Sequence, residues 1–215
     1  MHNRNAEAPA AVLRRAPVLP VLTVRSLEDA ASQARALIAG GLFALEITLR
    51  TEAALGAIAA LAKTFPGALV GAGTIIEPQQ IKDAVEAGAR FLVSPGMSPR
   101  LIDAAVSSPV PFIPGAATAS EALALRERGF RALKFFPAEP AGGPKYLAAL
   151  AAPLPDLIFC PTGGIDAQKA ASYLALPNVA CVGGSWMVAP EIIAAQDFAK
   201  IERLAREACG LRRRI

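Results

Sequence analysis

Short apolar runs alternate with longer amphipathic stretches along nearly the whole chain of 215 residues. The runs are Val18–Leu22, Leu42–Ile47, Ala68–Val70, Phe91–Val93, Val110–Ile113, Ala132–Phe136, Leu157–Cys160 and Val179–Val182, eight in all. Each has the length of a buried strand, and the stretches between them read as helices. Local signals mark helix ends. Ser26 with Asp29 resembles a capping box ahead of Ala30–Ala39. Glu77-Pro78 opens a helix that Gly88 closes, and Ser120-Glu121 opens the next, closed by Gly129. Strands alternating with helices at this spacing predict successive βαβ units and a parallel sheet. Eight units predict a closed (β/α)8 TIM barrel over residues 16–215, as a single domain, rather than an open doubly wound sheet. Residues 1–15 are left over as an N-terminal extension, with Asn5–Arg15 read as an extra helix.

Polar and glycine-rich residues gather just downstream of the runs. Glu46, Thr48 and Arg50 close the second, Gly71-Ala72-Gly73-Thr74 follows the third, and Ser94-Pro95-Gly96 the fourth. Pro114-Gly115 follows the fifth, Lys134 lies near the end of the sixth, Pro161-Thr162-Gly163-Gly164 follows the seventh and Gly183-Gly184-Ser185 the eighth. In such a barrel these ends converge on one face, where active sites lie.

Lys134 is the residue of most chemical interest, set in Ala132-Leu133-Lys134-Phe135-Phe136-Pro137. An apolar strand can carry a lysine that snorkels from its open end. It can also hold one inside, where burial disfavours the charged form, and a neutral lysine amine is a nucleophile that forms Schiff bases with carbonyls. The run alone leaves both readings open. In the second run, alternation puts Glu46, Thr48 and Arg50 on the interior side and Leu45, Ile47 and Leu49 on the other. Interior polar groups are costly unless they pair or work. Either Glu46 and Arg50 form an internal ion pair, or Glu46 is an acid–base carboxylate beside an arginine fork for a substrate carboxylate. The Gly163-Gly164 and Gly183-Gly184-Ser185 loops make tight turns or, read functionally, let backbone amides approach an anion, with a following helix start adding partial positive charge. Loops after the last two strands are the habitual phosphate site of these barrels, and two glycine pairs in successive loops favour that reading. Gly71-Ala72-Gly73-Thr74 is a plain turn or a route for a hydroxyl to the site centre.

Composition narrows the chemistry. Hydrophobic residues make up 53% and charged residues 19%, which is enough for a large core and for apolar surface buried between subunits. No run approaches the roughly 18 apolar residues of a membrane span, and the start lacks a secretory segment, so a cytoplasmic protein with no membrane partner is expected. Cys160, Cys181 and Cys209 have neither disulfide nor metal-ligand spacing, and the first two read as small buried hydrophobes. The one histidine, His2, lies at the extreme N-terminus, which excludes a serine–histidine triad and a histidine-ligated core metal. The net charge of +4 concentrates at the ends, in Arg14-Arg15 and Arg212-Arg213-Arg214. Without aromatic interleaving this predicts solvated ends and no nucleic-acid partner.

Two longer segments carry a family likeness. Gly41-Leu42-Phe43-Ala44-Leu45-Glu46-Ile47-Thr48-Leu49-Arg50 and Gly129-Phe130-Arg131-Ala132-Leu133-Lys134-Phe135-Phe136-Pro137-Ala138-Glu139 with Gly142 resemble the glutamate and lysine motifs of the 2-keto-3-deoxy-6-phosphogluconate aldolase family, which also acts on 4-hydroxy-2-oxoglutarate. Gly71-Ala72-Gly73-Thr74, Phe159-Cys160-Pro161-Thr162-Gly163-Gly164 and Gly183-Gly184-Ser185-Trp186 are similar to further family segments, and the likeness spans roughly residues 16–209. The resemblance implies a (β/α)8 barrel, a homotrimer, and a Schiff-base mechanism on a phosphorylated keto acid with no metal and no cofactor. It implies that Lys134 forms the imine and Glu46 shuttles protons. Arg50, Thr74 and Thr162 would meet the substrate's carboxylate and carbonyl, Gly163, Gly164, Gly184 and Ser185 its phosphate, and Pro95 and Phe136 would line the pocket. Thr162 and the Gly-Ser-Trp segment look like the branch acting on the gluconate epimer, whereas Ala117 stands where many of that branch carry serine. The galactonate epimer is the neighbouring alternative. A sugar-phosphate epimerase or isomerase would need a second interior acid–base group, and a non-enzymatic sugar-phosphate sensor would leave Lys134 without a task.

Overall fold

The computed structural model describes residues 4–211, with side chains from Ala8 onward, so His2 and Arg212-Arg213-Arg214 lie outside the described residues. Helix α1 (Arg4–Leu13) leads into β1 (Val18–Leu22), α2 (Leu27–Ala39), β2 (Ala44–Thr48), α3 (Ala54–Thr64), β3 (Leu69–Gly73), α4 (Pro78–Glu86), β4 (Leu92–Val93) and α5 (Pro99–Val106). The second half runs β5 (Phe112–Ile113), β6 (Gly115–Ala116), α6 (Ala119–Glu127), β7 (Ala132–Phe135), α7 (Gly143–Ala149), β8 (Ile158–Pro161), α8 (Ala167–Leu174) and β9 (Val182–Gly184). A 3-10 turn (Trp186–Val188), α9 (Pro190–Ala194) and α10 (Phe198–Cys209) follow.

Every apolar run overlaps a strand. Just past the fifth run, Pro114, which has no amide hydrogen to give a ladder, separates β5 from a second short segment, β6. β5 then pairs with β4, and β6 with β7. All pairings are parallel, in the curled orders β5-β4-β3-β2-β1-β9 and β6-β7-β8. Bridges Phe159–Val179 and Thr162–Gly183 link β8 to β9 and the segment entering it. Helix starts are local in origin. The Ser26 side chain accepts from the Asp29 amide at 3.1 Å, and α2 begins at Leu27, ahead of the expected Ala30. Glu77 caps α4, with Gln80 accepting from the Glu77 amide at 3.1 Å, and Gly88 ends it at φ +93°. The cap of α6 is Thr118 rather than Ser120, because Thr118 and Glu121 have the spacing of a reciprocal capping box.

Alternation along the strands sorts side chains onto two faces. Leu45, Ile47, Val70, Ala72, Leu133 and Phe135 enter the larger apolar cluster beneath the helices. Leu19, Ala44, Leu69, Phe91, Ile113, Ala132, Cys160 and Cys181 point to the inner face of the curl, where Ala10, Val12 and Leu13 of α1 pack among them. Helix α1 therefore covers the upstream end of that face. Cys160 and Cys181 are thiols there rather than a disulfide, their sulfurs 3.5 Å apart. One step downstream on the same face the buried residues turn polar: Glu46, Thr48, Lys134 and Thr162. Val21 flanks Glu46 on one side, and the other partners in register are small. Gly71 lies beside Glu46, Gly73 beside Thr48, and Gly115 and Cys160 flank Lys134. Among the described residues no helix is long and apolar enough to cross a membrane.

The space above Gly71 is filled by the ring of Phe91, on which a Cβ at that position would fall. Gly71→Ala is expected to destabilise the fold by about 1–3 kcal/mol through overpacking. Urea denaturation should show a lower midpoint with an unchanged m-value.

Candidate active site

Lys134 and Glu46 belong to different sheets and meet across the inner face. Lys134 Nζ donates to Glu46 Oε1 at 3.0 Å, and the two residues are only 4% and 1% exposed. The effective desolvation cost of a buried ion is several kcal/mol, so each group is tolerable there because the other compensates it. Neighbouring glycine makes room, since a Cβ at Gly73 would fall on the Glu46 carboxylate. The Lys134 ammonium also stands 5.5 Å from the centroid of the Phe136 ring, within cation–π range. The lysine is thus held inside, and the snorkelling alternative does not apply.

Glu46 pairs with Lys134 and not with Arg50. The strand ends at Thr48, and the Arg50 amide turns back onto the Thr48 carbonyl at 2.8 Å, so alternation no longer governs Arg50. Its exposed side chain swings over to β3, where Nε donates to the Thr74 hydroxyl at 3.1 Å. Thr74 has φ +61°, a left-handed conformation that is rare for a β-branched residue and costs about 1–3 kcal/mol. The Thr48 hydroxyl donates to the Leu22 carbonyl at 3.0 Å and lies 2.9 Å from the Thr23 hydroxyl, tying β2 to β1.

A cleft of about 130 Å³ opens over Lys134. Of the residues singled out in the sequence, Arg50, Lys134, Phe136, Thr162, Gly163, Gly164, Gly184 and Ser185 line it. Glu46 and Thr74 stand behind, each one hydrogen bond from a lining residue. Pro95 is placed elsewhere, its backbone against Gly115 beside Lys134. Val21 and Ile165 also line the cleft and were not singled out, although Ile165 follows a noted glycine pair; Gly183, read as part of the anion loop, lines it too. Gly183 leaves space for the Thr162 side chain, whose hydroxyl donates to the Cys160 carbonyl at 3.3 Å. A larger hollow of about 620 Å³ adjoins at Val21 and Ser185, but neither Lys134 nor Glu46 reaches it, so the buried pair belongs to the smaller cleft.

Gly163 and Gly164 have φ of +105° and +77°, a region glycine adopts without strain. The helix start that follows does not serve as expected. Asp166 caps α8, accepting from the Gln168 and Lys169 amides at 3.0 and 2.9 Å, so those donors are taken and a negative charge sits there. Anion donors on this side must come from the loop itself. Behind the loop, Tyr173 Oη donates to Glu139 Oε1 at 2.5 Å, and Lys169 Nζ lies 3.1 Å from Glu139 Oε2. The tyrosine hydrogen bond, then the lysine, hold the Glu139 carboxyl below the usual carboxylate range, while burial and then Glu139 push the Tyr173 phenol up. Among the described residues no group of three or more His, Cys, Asp or Glu is placed to hold a metal ion.

The central pair makes a stability prediction. Lys134→Met leaves the Glu46 carboxylate buried and uncompensated, and breaking a buried pair in this way costs about 3–5 kcal/mol. Lys134→Met combined with Glu46→Leu should recover most of that loss. A double-mutant cycle in urea measures both.

Comparison with known proteins gives the lineage. Residues 10–204 match the family described as KDPG and KHG aldolase. The KHG/KDPG aldolase of Escherichia coli (strain K12) is 49% identical over 197 residues, which is 92% of this chain and 92% of that protein. The 2-dehydro-3-deoxy-phosphogluconate aldolase of Pseudomonas aeruginosa is 46% identical over 210 residues, 97% of this chain and 96% of that protein. The crystal structure of the KDPG aldolase of Legionella pneumophila, with pyruvate captured at low pH as a covalent carbinolamine intermediate, is 47% identical with a TM-score of 0.92, covering 94% of this chain and 98% of that one. Together with the buried lysine–carboxylate pair beneath a glycine-rimmed cleft, these matches show that the chain belongs to the KDPG and KHG aldolase family.

Proposed function

We propose that the chain is a class I, Schiff-base aldolase that cleaves 2-dehydro-3-deoxy-6-phosphogluconate to pyruvate and glyceraldehyde 3-phosphate. It also accepts 4-hydroxy-2-oxoglutarate, giving pyruvate and glyoxylate. The observation that carries this reading is the Lys134–Glu46 contact of 3.0 Å at the floor of the cleft. The names of the E. coli and P. aeruginosa relatives, and the carbinolamine of the L. pneumophila enzyme, support it.

In this mechanism the Lys134 amine attacks C2 of the keto acid, and Glu46 is the acceptor within reach of its proton. The carbinolamine loses water, with Glu46 relaying protons, and leaves an iminium that acts as an electron sink. Removal of the C4 hydroxyl proton breaks the C3–C4 bond. Its electron pair enters an enamine, and the aldehyde departs. Protonation at C3 and hydrolysis then free pyruvate and restore Lys134. Arg50, braced by Thr74, grips the pyruvate carboxylate as a bidentate fork, and the Thr162 hydroxyl meets the carboxylate or carbonyl. Gly163, Gly164, Gly184 and Ser185 receive the phosphate, and Phe136 lines the pocket. No cofactor enters any step.

The same reading extends to the architecture. We infer that the two sheets close into one (β/α)8 barrel formed by residues 16–215, with residues 1–15 contributing an extra N-terminal helix. The shared strand broken at Pro114, the bridges between β8 and β9, and the cross-face pair support closure. A cytoplasmic homotrimer follows from the family likeness, and exposed Leu27, Phe43 and Ile76 are apolar surface that subunit contacts could cover.

Pyruvate release from the gluconate-derived substrate, in a lactate dehydrogenase-coupled assay, tests the activity. Lys134→Ala should lose nearly all turnover, and Glu46→Gln about 10²–10⁴-fold. Borohydride with pyruvate should add a reduced pyruvyl mass to the peptide containing Lys134. A label on Lys145 instead would overturn the assignment.

A further inference from the structure

The two carbonyls of the Gly163-Gly164 pair are both held from behind the loop. The Glu139 amide donates to the Gly163 carbonyl at 3.2 Å, and Lys169 Nζ donates to the Gly164 carbonyl at 3.0 Å. In a trans peptide the N–H points opposite to the C=O that shares its plane. Among the described residues only the Phe136–Pro137 bond is cis. Anchoring the Gly163 carbonyl therefore turns the Gly164 amide the other way, and anchoring the Gly164 carbonyl does the same for the Ile165 amide. Gly164 and Ile165 both line the cleft, and neither amide donates a hydrogen bond among the described residues.

We propose that Lys169 is a positioning residue that sets preference for a phosphorylated substrate, by fixing the Gly164 carbonyl so that the Ile165 amide faces the phosphate. The inference rests on the reading of this loop as the phosphate site. Glycine at φ +77° leaves the Gly164–Ile165 peptide free to rotate unless something holds it. Lys169 supplies the hold without lining the cleft, since its ammonium sits between the Gly164 carbonyl and Glu139. Glu139 is itself fixed by the hydroxyl of Tyr173, whose ring is fully buried. The order of support is a buried phenol, a carboxylate, an ammonium, a carbonyl and finally an amide. Removing Lys169 breaks the chain at an exposed position and leaves no cavity, because its side chain is 46% exposed. Among the described residues neither Lys134 nor Glu46 forms a hydrogen bond or ion pair with this chain of groups, so the imine chemistry should not register the change.

The test compares wild type, Lys169→Met and Lys169→Arg on two substrates, 2-dehydro-3-deoxy-6-phosphogluconate and unphosphorylated 4-hydroxy-2-oxoglutarate, with inorganic phosphate as a competitive inhibitor. Lys169→Met is expected to raise KM for the phosphorylated substrate and Ki for phosphate about tenfold, below the roughly 100-fold that an ångström of misplacement can cost, with kcat within about twofold. Constants for the unphosphorylated substrate should stay within about twofold. Lys169→Arg should restore most of the loss, since a guanidinium can still span Glu139 and the carbonyl. An equal loss on both substrates, or no loss on either, overturns the proposal while wild type still favours phosphate. A wild type that does not favour the phosphorylated substrate removes the phosphate reading itself, and the role of Lys169 with it.

Discussion

A single hydrogen-bonded ion pair organises this protein. Lys134 and Glu46 are each untenable alone in a dry interior, and together they meet at 3.0 Å. Their meeting imposes conditions on everything around it. The sheet must curl until β2 and β7 face one another across its inner side. Room beside them comes from absent side chains: Gly73 makes way for the Glu46 carboxylate, Gly71 for the Phe91 ring and Gly115 for the Pro95 backbone. The rest of the inner face must then pack tightly enough to exclude water without crowding the pair.

The inner face is accordingly divided. Upstream it is apolar and covered by α1, and downstream it carries the buried polar groups. The division repeats in several strands. Ala44 precedes Glu46, Ala132 precedes Lys134, and Cys160 precedes Thr162, each pair two residues apart and on the same side. Backbone strain falls at the downstream rim, where Thr74 adopts its left-handed conformation and offers its hydroxyl to Arg50, and again at Gln196 between α9 and α10. Rigid strands supply the floor, and turns supply the walls.

The strands were legible because each is apolar enough to stand out from the helices that flank it, and Lys134 was legible because it violates its own run. Glu46 could be placed on the inner side by alternation, but its partner lies 88 residues away, and sequence allowed Arg50 as readily. The choice was made by the turn at Leu49-Arg50, which sends the guanidinium toward β3. Pro114 splitting one strand between two sheets, and Asp166 taking up the amides of α8, depend on pairing and capping geometry that residue types alone do not specify. Glu139, Lys169 and Tyr173 lie on a loop and a helix, where charged and aromatic residues are ordinary. Only their convergence behind Gly164 gives them meaning. The family likeness pointed to Lys134 and Glu46, and the fold explains why the two can coexist.

The seal formed by Ala10, Val12 and Leu13 has a kinetic corollary. In the proposed barrel, a base stoppered in this way leaves one doorway for both cargo and waste. On the proposed chemistry, the fragment tethered to Lys134 occupies the bottom, and the aldehyde fragment lies toward the opening. The aldehyde must vacate before the three-carbon remnant can leave, so departure is sequential by geometry, and an excess of aldehyde in the surrounding solution would hold the remnant in place.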